Sequence, residues 1–182
     1  MRHVPFLRGG LVVLGVVVVL LVLRIVGLDP HERRPGLWLT GERGPAPTDW
    51  SFTDKYPTIY IQTRTDYVLP HSVTITCVAY HGQLYLTSVF REGSPFPQGK
   101  RWTVNVLRDP RVRLKIGDQI YDETIALVTD RAERDAVLEA KARKYPNQRI
   151  DKTSSVYLFH VLPPTDRGPS ASLSVSAPSA SS

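Results

Sequence analysis

Residues 83–121 alternate strand patterns with strong chain breakers, and this alternation leaves few folds open to the chain. QLYLTSVF reads as a strand, and the loop that follows it, Gly93 to Gly99, holds two prolines and two glycines. Lys100 to Leu107 suits a short helix that Asp109-Pro110 stops, because the residue before a proline is disfavoured in helical conformation. RVRLKIG and DQIYDETIALV then predict two strands joined by a tight turn. This order indicates a mixed α+β domain.

Cations and hydroxyl groups meet at the junctions of this stretch. Lys100 and Arg101 open the predicted helix, and Thr87 and Ser88 lie near the end of the preceding strand. Helix openings and strand ends that combine these groups are natural anion sites. Cations at a helix N-terminus oppose the helix dipole, so their placement is unfavourable unless an anion lies nearby. The pattern predicts a phosphate site, with solvated charges and ordinary strand hydroxyls as the structural alternative.

The flanking sequence completes the domain. Alternating β-branched and aromatic residues predict strands over 58–63 and 71–80, and His81-Gly82 turns the second of these into the strand over 84–90. Further strands are expected over 111–116, 120–129 and 155–162, with a helix from Arg131 to about Lys144 that Asp130 caps. Six mostly antiparallel strands with two helices predict an α+β domain built round a small barrel.

An apolar segment precedes this domain. Residues 9–28 are almost entirely apolar and reach the roughly 20 residues that a helix needs to cross a bilayer. A cleaved signal peptide is the rival interpretation, because Arg2 and Arg8 form a positive N-terminal region, but no Ala-x-Ala-like site follows. We therefore expect a single-pass membrane anchor over residues 1–28. Basic residues on both flanks leave the side of the membrane that holds the domain undecided.

Composition divides the remainder of the chain. Residues 29–49 form a polar linker rich in proline and glycine, and residues 50–164 form the barrel domain. The Ser/Ala/Pro-rich tail, residues 165–182, has almost nothing to bury and is expected to be disordered.

Several function classes are disfavoured by the sequence. The net charge of +6 is scattered and comes with no nucleic-acid recognition module, so nucleic acid is not an expected partner. The single cysteine, Cys77, excludes an internal disulfide and a cysteine-based zinc site. His71 and His160 lack the spacing of metal ligands, and no nucleophile-elbow pattern appears.

The order of elements, with LYLTS followed by KRWTVNVLRDPRVRLKI, resembles the split β-barrel proteins of the pyridoxamine 5'-phosphate oxidase-like superfamily, including its flavin-binding and deazaflavin-dependent nitroreductase-like branches. The resemblance covers about Thr58 to Leu162. It implies an FMN or deazaflavin cofactor held by its phosphate, in a groove that homodimerisation usually completes.

The resemblance also implies roles for individual residues. Ser88, or Thr87, falls at the family's phosphate-binding hydroxyl, and Lys100 and Arg101 fall at its basic pair. A hydroxyl row falls on the strand that commonly contacts the flavin ring and ribityl chain: Ser72, Thr74 and Thr76.

Trp102 has two interpretations, as a packing residue under the barrel or as a residue stacked on the flavin. The family's oxidases carry Arg and Lys where this second strand has Ser and Thr, so vitamin B6 chemistry is not expected.

Two functions follow from these observations. The first is a membrane-anchored flavin-binding oxidoreductase-like protein, in which the cofactor performs the electron transfer and no catalytic side chain is assigned. The second is a non-enzymatic, anchored split-barrel module that binds a small ligand or a partner protein.

Overall fold

The computed structural model describes residues 4–31, 34–67, 69–151 and 153–163. The expected disordered tail, residues 165–182, lies outside the described residues. The elements in chain order are α1 (Val4–Val26), β1 (Glu42–Arg43), a 3-10 turn (Ser51–Lys55), β2 (Ile59–Thr63), β3 (His71–Tyr80), β4 (Gln83–Phe90), α2 (Arg101–Arg108), β5 (Arg111–Ile116), β6 (Gln119–Leu127), α3 (Arg131–Lys144) and β7 (Ser155–Val161).

Within the described residues, six antiparallel strands close into a barrel. Hydrogen bonds join them in the order β6-β5-β2-β3-β4-β7, and β7 pairs back with β6. The two-residue β1 adds a parallel pairing to the outer edge of β6. The predicted six-stranded α+β barrel is therefore confirmed.

Side chains from alternate positions of the strands fill the barrel interior. The inward-facing side chains include Ile59 and Ile61 of β2, Cys77 of β3 and Leu84 and Leu86 of β4, and each is at most 2 % exposed. Burial raises the pKa of the Cys77 thiol, which matches an inert core cysteine rather than a nucleophile. Period-2 alternation is thus the pattern that sets the core.

Local signals fix most element ends near their predicted positions. His81 and Gly82 both have positive φ, at 50° and 73°, which suits the two-residue hairpin turn between β3 and β4. Asp130 caps α3 by accepting a hydrogen bond from the backbone N–H of Glu133 at 2.7 Å. The largest difference is in β6, which ends at Leu127, two residues before the predicted end.

Helix α1 lies apart from the barrel core. Its segment from Gly9 to Val26 is long and apolar enough to cross a membrane, by length and composition, and none of it is buried against the protein. The connecting segment that follows α1, residues 27–31 and 34–40, pairs with itself and with the barrel. The Leu28 N–H donates to the carbonyl of Trp38 at 3.0 Å, and Gly36 and Ser72 exchange two backbone hydrogen bonds.

Candidate functional site

Strands β3 and β4 separate partway along their length. They are paired from Tyr80 and Gln83 as far as Thr76 and Thr87. Beyond that point, the first half of β3 pairs with β2, and the last residues of β4 pair with β7. The two sheets therefore diverge at Thr76 and Thr87, and a groove of about 600 Å³ opens there.

Five of the seven predicted site residues line this groove: Thr74, Thr87, Lys100, Arg101 and Trp102. Val73, Ile75 and Val89 supply an apolar wall, and Arg34 and Pro35 of the connecting segment lie at one edge. The groove therefore combines an apolar surface with cationic and hydroxyl groups, the combination that a planar ligand with an anionic group requires.

Helix α2 is held in place by contacts that also position its basic pair. The side-chain amide of Asn105 donates a buried hydrogen bond to Thr63 Oγ1 of β2 at 2.8 Å. The ring centre of Trp102 lies 5.2 Å from that of Phe159 in the barrel core. The Thr103 hydroxyl donates to the carbonyls of Pro97 and Lys100 at 2.7 and 2.6 Å, which ties the preceding loop to the first turn. The start of α2 is thus rigidly placed at the groove.

Lys100 is the residue directly before α2, with extended backbone, and the helix itself begins at Arg101. Burial, with a smaller contribution from Arg91, lowers the pKa of the Lys100 ammonium. That ammonium lies 5.5 Å from the centre of the Phe90 ring, and Arg101 donates to the Tyr67 hydroxyl at 2.6 Å. No ion pair among the described residues involves either cation.

A third cation, Lys141 of α3, lies behind the groove. Its side chain is 2 % exposed, and its Nζ donates to Thr87 Oγ1 at 2.9 Å. Thr87 Oγ1 also shares a hydrogen bond of 2.6 Å with Thr76 Oγ1 across the last β3–β4 pair. Burial, followed by repulsion from Lys100, lowers the pKa of Lys141 to about 8.

Sequence reasoning missed Lys141, although the chain contains a signal for it. Val137, Ala140 and Lys141 are the buried residues of α3, and they fall at the i, i+3 and i+4 spacing of one helix face. A lysine on the buried face of an otherwise charged helix is the feature that marks it.

The two remaining predicted residues lie away from the groove lining. Ser88 follows Thr87, so strand alternation turns it to the barrel interior, the face of Leu86, where it is 1 % exposed. Ser72 is fully buried where Gly36 of the connecting segment pairs with it. A Cβ on Gly36 would lie 2.1 Å from the Leu28 carbonyl oxygen, so this close approach requires glycine.

The groove is electropositive. Arg34, Lys100 and Arg101 are its cationic lining residues, and no Asp or Glu is found among the described residues that line it. Burial, with a smaller contribution from Arg101, lowers the pKa of His71 and so favours the neutral form of this lining imidazole. Since Lys141 adds a further positive charge behind Thr87, the site favours an anion.

No protein-family model and no curated protein matches the chain. Solved structures that match it include an F420-H2 dependent reductase (FDR-A), at 20 % identity and a TM-score of 0.43 over 59 % of this chain and 95 % of that one. A provisionally named pyridoxamine 5'-phosphate oxidase from Listeria innocua matches at 15 % identity and a TM-score of 0.44 over 62 % and 87 %. A NimC/NimA family protein from Clostridium acetobutylicum matches at 15 % identity and 0.44 over 60 % and 76 %.

The Listeria protein has the name of the oxidase after which the superfamily that residues 84–116 resemble is called. Because the identities are low and the TM-scores are below 0.5, none of these matches transfers a cofactor or an activity to this chain. The function therefore has to be inferred from the residues and the geometry of the groove.

Proposed function

We propose that the groove binds a flavin-type cofactor, FMN or a deazaflavin, and that the chain is a membrane-anchored oxidoreductase-like protein. One observation carries this proposal: the cations Arg34, Lys100, Arg101 and Lys141 converge on a groove without a lining carboxylate, beside an apolar wall. A ligand with a phosphate at one end and a flat ring system at the other complements both parts.

The phosphate end is assigned to Thr87, Lys100 and Arg101. Neither cation has a carboxylate partner among the described residues, so each retains donors for an anion. Lys141 orients the Thr87 hydroxyl by occupying one of its lone pairs, and its positive charge adds to the field at the phosphate. Hydrogen bonds to charged groups contribute about 1.5–3 kcal/mol each, and burial of the ring against the apolar wall adds to them.

The ring end is assigned to the edge of β3 that the divergence leaves open, where Val73, Thr74 and Ile75 line the groove. Val89 of β4 adds a further apolar side chain, so that these aliphatic residues form the apolar wall and Thr74 supplies the hydroxyl. Thr74 Oγ1 is buried and has no hydrogen-bond partner among the described residues, so it is available to a polar atom of the ring or ribityl chain. When bound, a flavin supplies hydride or electron transfer itself. The protein's part is to hold the ring against the apolar wall and limit its contact with water.

The proposal includes the anchor and the assembly. The exposed apolar surface of α1 is placed in a membrane, because a helix of this kind has no burial partner among the described residues. A second copy of the chain is proposed to complete the groove, as in the superfamily that the sequence resembles.

The first experiment is a binding titration of the full chain in detergent micelles with FMN and with an oxidised deazaflavin, followed by absorbance and cofactor fluorescence. Saturable binding is expected, and K100Q/R101Q should weaken it by on the order of 100-fold because two charged hydrogen bonds are lost. R131Q/R143Q on exposed positions of α3 is the charge-matched control and should bind like the wild type. Failure of both cofactors to bind would reject the proposal.

The placement of Ser72 and Ser88 away from the groove favours a second candidate, a non-enzymatic module for a small anionic ligand. Such a module would recognise the anion without the ring. Competition separates the two functions: a flavin site discriminates FMN strongly from inorganic phosphate, whereas the alternative predicts that phosphate displaces FMN at comparable concentrations.

A further inference from the structure

Arginine side chains gather on the barrel where α1 meets it. The guanidinium of Arg24, in the last turn of α1, lies 5.8 Å from the centre of the Trp38 ring. Trp38 is 9 % exposed, and its carbonyl accepts the hydrogen bond from Leu28 that fixes the chain just after the helix. The end of α1 is therefore tied to one particular face of the barrel.

That face contains a groove of about 440 Å³ lined by Arg24, Arg64, Arg111 and Arg113, with Trp38 at its edge. Arg43 joins Arg24, Trp38 and Arg113 around the adjoining depression. We call these five arginines the arginine face: Arg24, Arg43, Arg64, Arg111 and Arg113.

Carboxylates neutralise only part of the arginine face. Arg111 and Arg64 share Asp109, at 2.8 and 3.7 Å, so one carboxylate serves two guanidinium groups. Asp122 is shared in the same way by Arg113, at 2.6 Å, and Arg43, at 3.7 Å.

Glu123 is the third acid in this region and lies buried at 3 % exposure on the groove lining. Four of these guanidinium groups thus share two carboxylates, and the Arg24 guanidinium lies against an aromatic ring. Guanidinium donors are left over on this face, and they match the paired oxygens of a phosphate.

The position of the arginine face, beside the end of α1, indicates that the phosphates it binds are those of lipid headgroups. Insertion of the exposed apolar stretch from Gly9 to Val26 puts Arg24 at the end of the membrane span and the arginine face at headgroup level. A leaflet with anionic lipids attracts basic groups at its surface by about 1 kcal/mol for each Lys or Arg.

We propose that the arginine face binds the phosphates of anionic phospholipid headgroups and so holds the barrel against the bilayer. The inference rests on the membrane insertion of α1 contained in the proposed function. It assigns to the barrel a lipid site separate from the groove at Lys100 and Arg101.

The test uses the full chain in nanodiscs that contain phosphatidylcholine alone or with 30 % phosphatidylglycerol (a composition of about one anionic lipid in three, enough for a negative surface potential). A fluorophore on T124C reports from the groove lining, and Cys77 is fully buried and remains unlabelled. Headgroup nitroxide lipids quench a docked reporter. We expect about twofold or more quenching in the anionic discs relative to the neutral ones, and its loss in roughly 1 M NaCl, where the Debye length falls to about 3 Å.

The variant R64Q/R111Q/R113Q should weaken docking on the order of 100-fold, from three basic groups at about 1 kcal/mol each. Its lysine counterpart, R64K/R111K/R113K, keeps the charge and should retain most of the docking. R131Q/R143Q/R149Q removes the same charge from exposed positions elsewhere and should dock like the wild type. Melting curves of all variants establish that they are folded.

Equal quenching in neutral and anionic discs would overturn the headgroup site while leaving the anchor intact. An equal loss of docking in R64Q/R111Q/R113Q and in R131Q/R143Q/R149Q would do the same. Failure of the folded wild type to enter nanodiscs would overturn the insertion of α1 and the headgroup site together. Neither result bears on cofactor binding in the micelle titration, so the two proposals fail separately.

Discussion

The Lys141 ammonium donates a hydrogen bond of 2.9 Å to Thr87 Oγ1, a hydroxyl that lies 54 positions earlier in the chain and on the wall of the groove. This contact places a buried cation behind the anion site without exposing it. It also couples the charge state of α3 to the chemistry of the groove, and the first two predictions follow from that coupling.

Anion affinity should fall as the pH rises through the pKa of Lys141, which is lowered to about 8. Above that pH the side chain loses its proton, and the attraction between its charge and a phosphate disappears. FMN titrations at pH 7.5 and 9 should show an affinity loss of about tenfold. The K141M variant should bind more weakly at pH 7.5 and lose the part of the pH dependence that Lys141 supplies; an unchanged profile would contradict the coupling.

Stability should respond to pH in the opposite direction. The folded pKa of Lys141, about 8, lies below the ordinary value of 10.5, so between these limits the unfolded chain binds the extra proton. The free energy of unfolding therefore rises with pH across this window. Below pH 8 the folded protein bears the cost of a buried charge, and K141M should be more stable than the wild type by about 1–3 kcal/mol at pH 7.

Urea titrations of the wild type and K141M at pH 7 and pH 10, in the same detergent, measure this difference. The advantage of K141M should shrink as the pH rises, because the wild type loses its buried charge. A constant difference between the two proteins would contradict the lowered pKa.

Thr87 and Ser88 should differ sharply when their hydroxyls are removed. T87V leaves the Lys141 ammonium without its acceptor, which is expected to cost about 1–3 kcal/mol in the free energy of unfolding and to weaken FMN binding. S88A removes a buried hydroxyl that has no partner among the described residues, so stability should change by less than about 0.5 kcal/mol and binding should stay the same. If S88A weakened FMN binding more than T87V does, the phosphate contact would belong to Ser88 instead.

The cap of α3 should contribute measurably to stability. Asp130 accepts the hydrogen bond from the Glu133 N–H at 2.7 Å, so D130A should lower the free energy of unfolding by about 1 kcal/mol. D130N preserves an acceptor at the same position and should retain most of that stability. Chemical denaturation followed by circular dichroism checks the ranking; equal losses would show that the cap hydrogen bond is unimportant.

Much of the architecture could be predicted because its signals are local. The strand over 71–80 and the helix over 131–144 occur with their predicted bounds, since alternation, an N-cap aspartate and a following proline all act within a few residues. The basic pair at Lys100 and Arg101 was recognisable in the same way, as a cationic helix start after a loop rich in proline and glycine.

The residues that line the groove were harder to predict from the sequence. Alternation indicates that Thr87 and Ser88 face opposite sides of their strand, but it does not indicate which side is the barrel interior. That depends on the register with β3 and β7, which places Leu86 inside and Thr87 at the point of divergence.

By itself, the sequence determined the strands, the helices and the apolar N-terminal segment, because hydrophobic periodicity and backbone constraints are properties of neighbouring residues. Only the tertiary structure decided that β3 and β4 separate at Thr76 and Thr87, and that Lys141 arrives there from α3. The physical reason is that sheet pairing and helix docking join residues far apart in the chain, and burial then changes the charge chemistry of the groups they bring together.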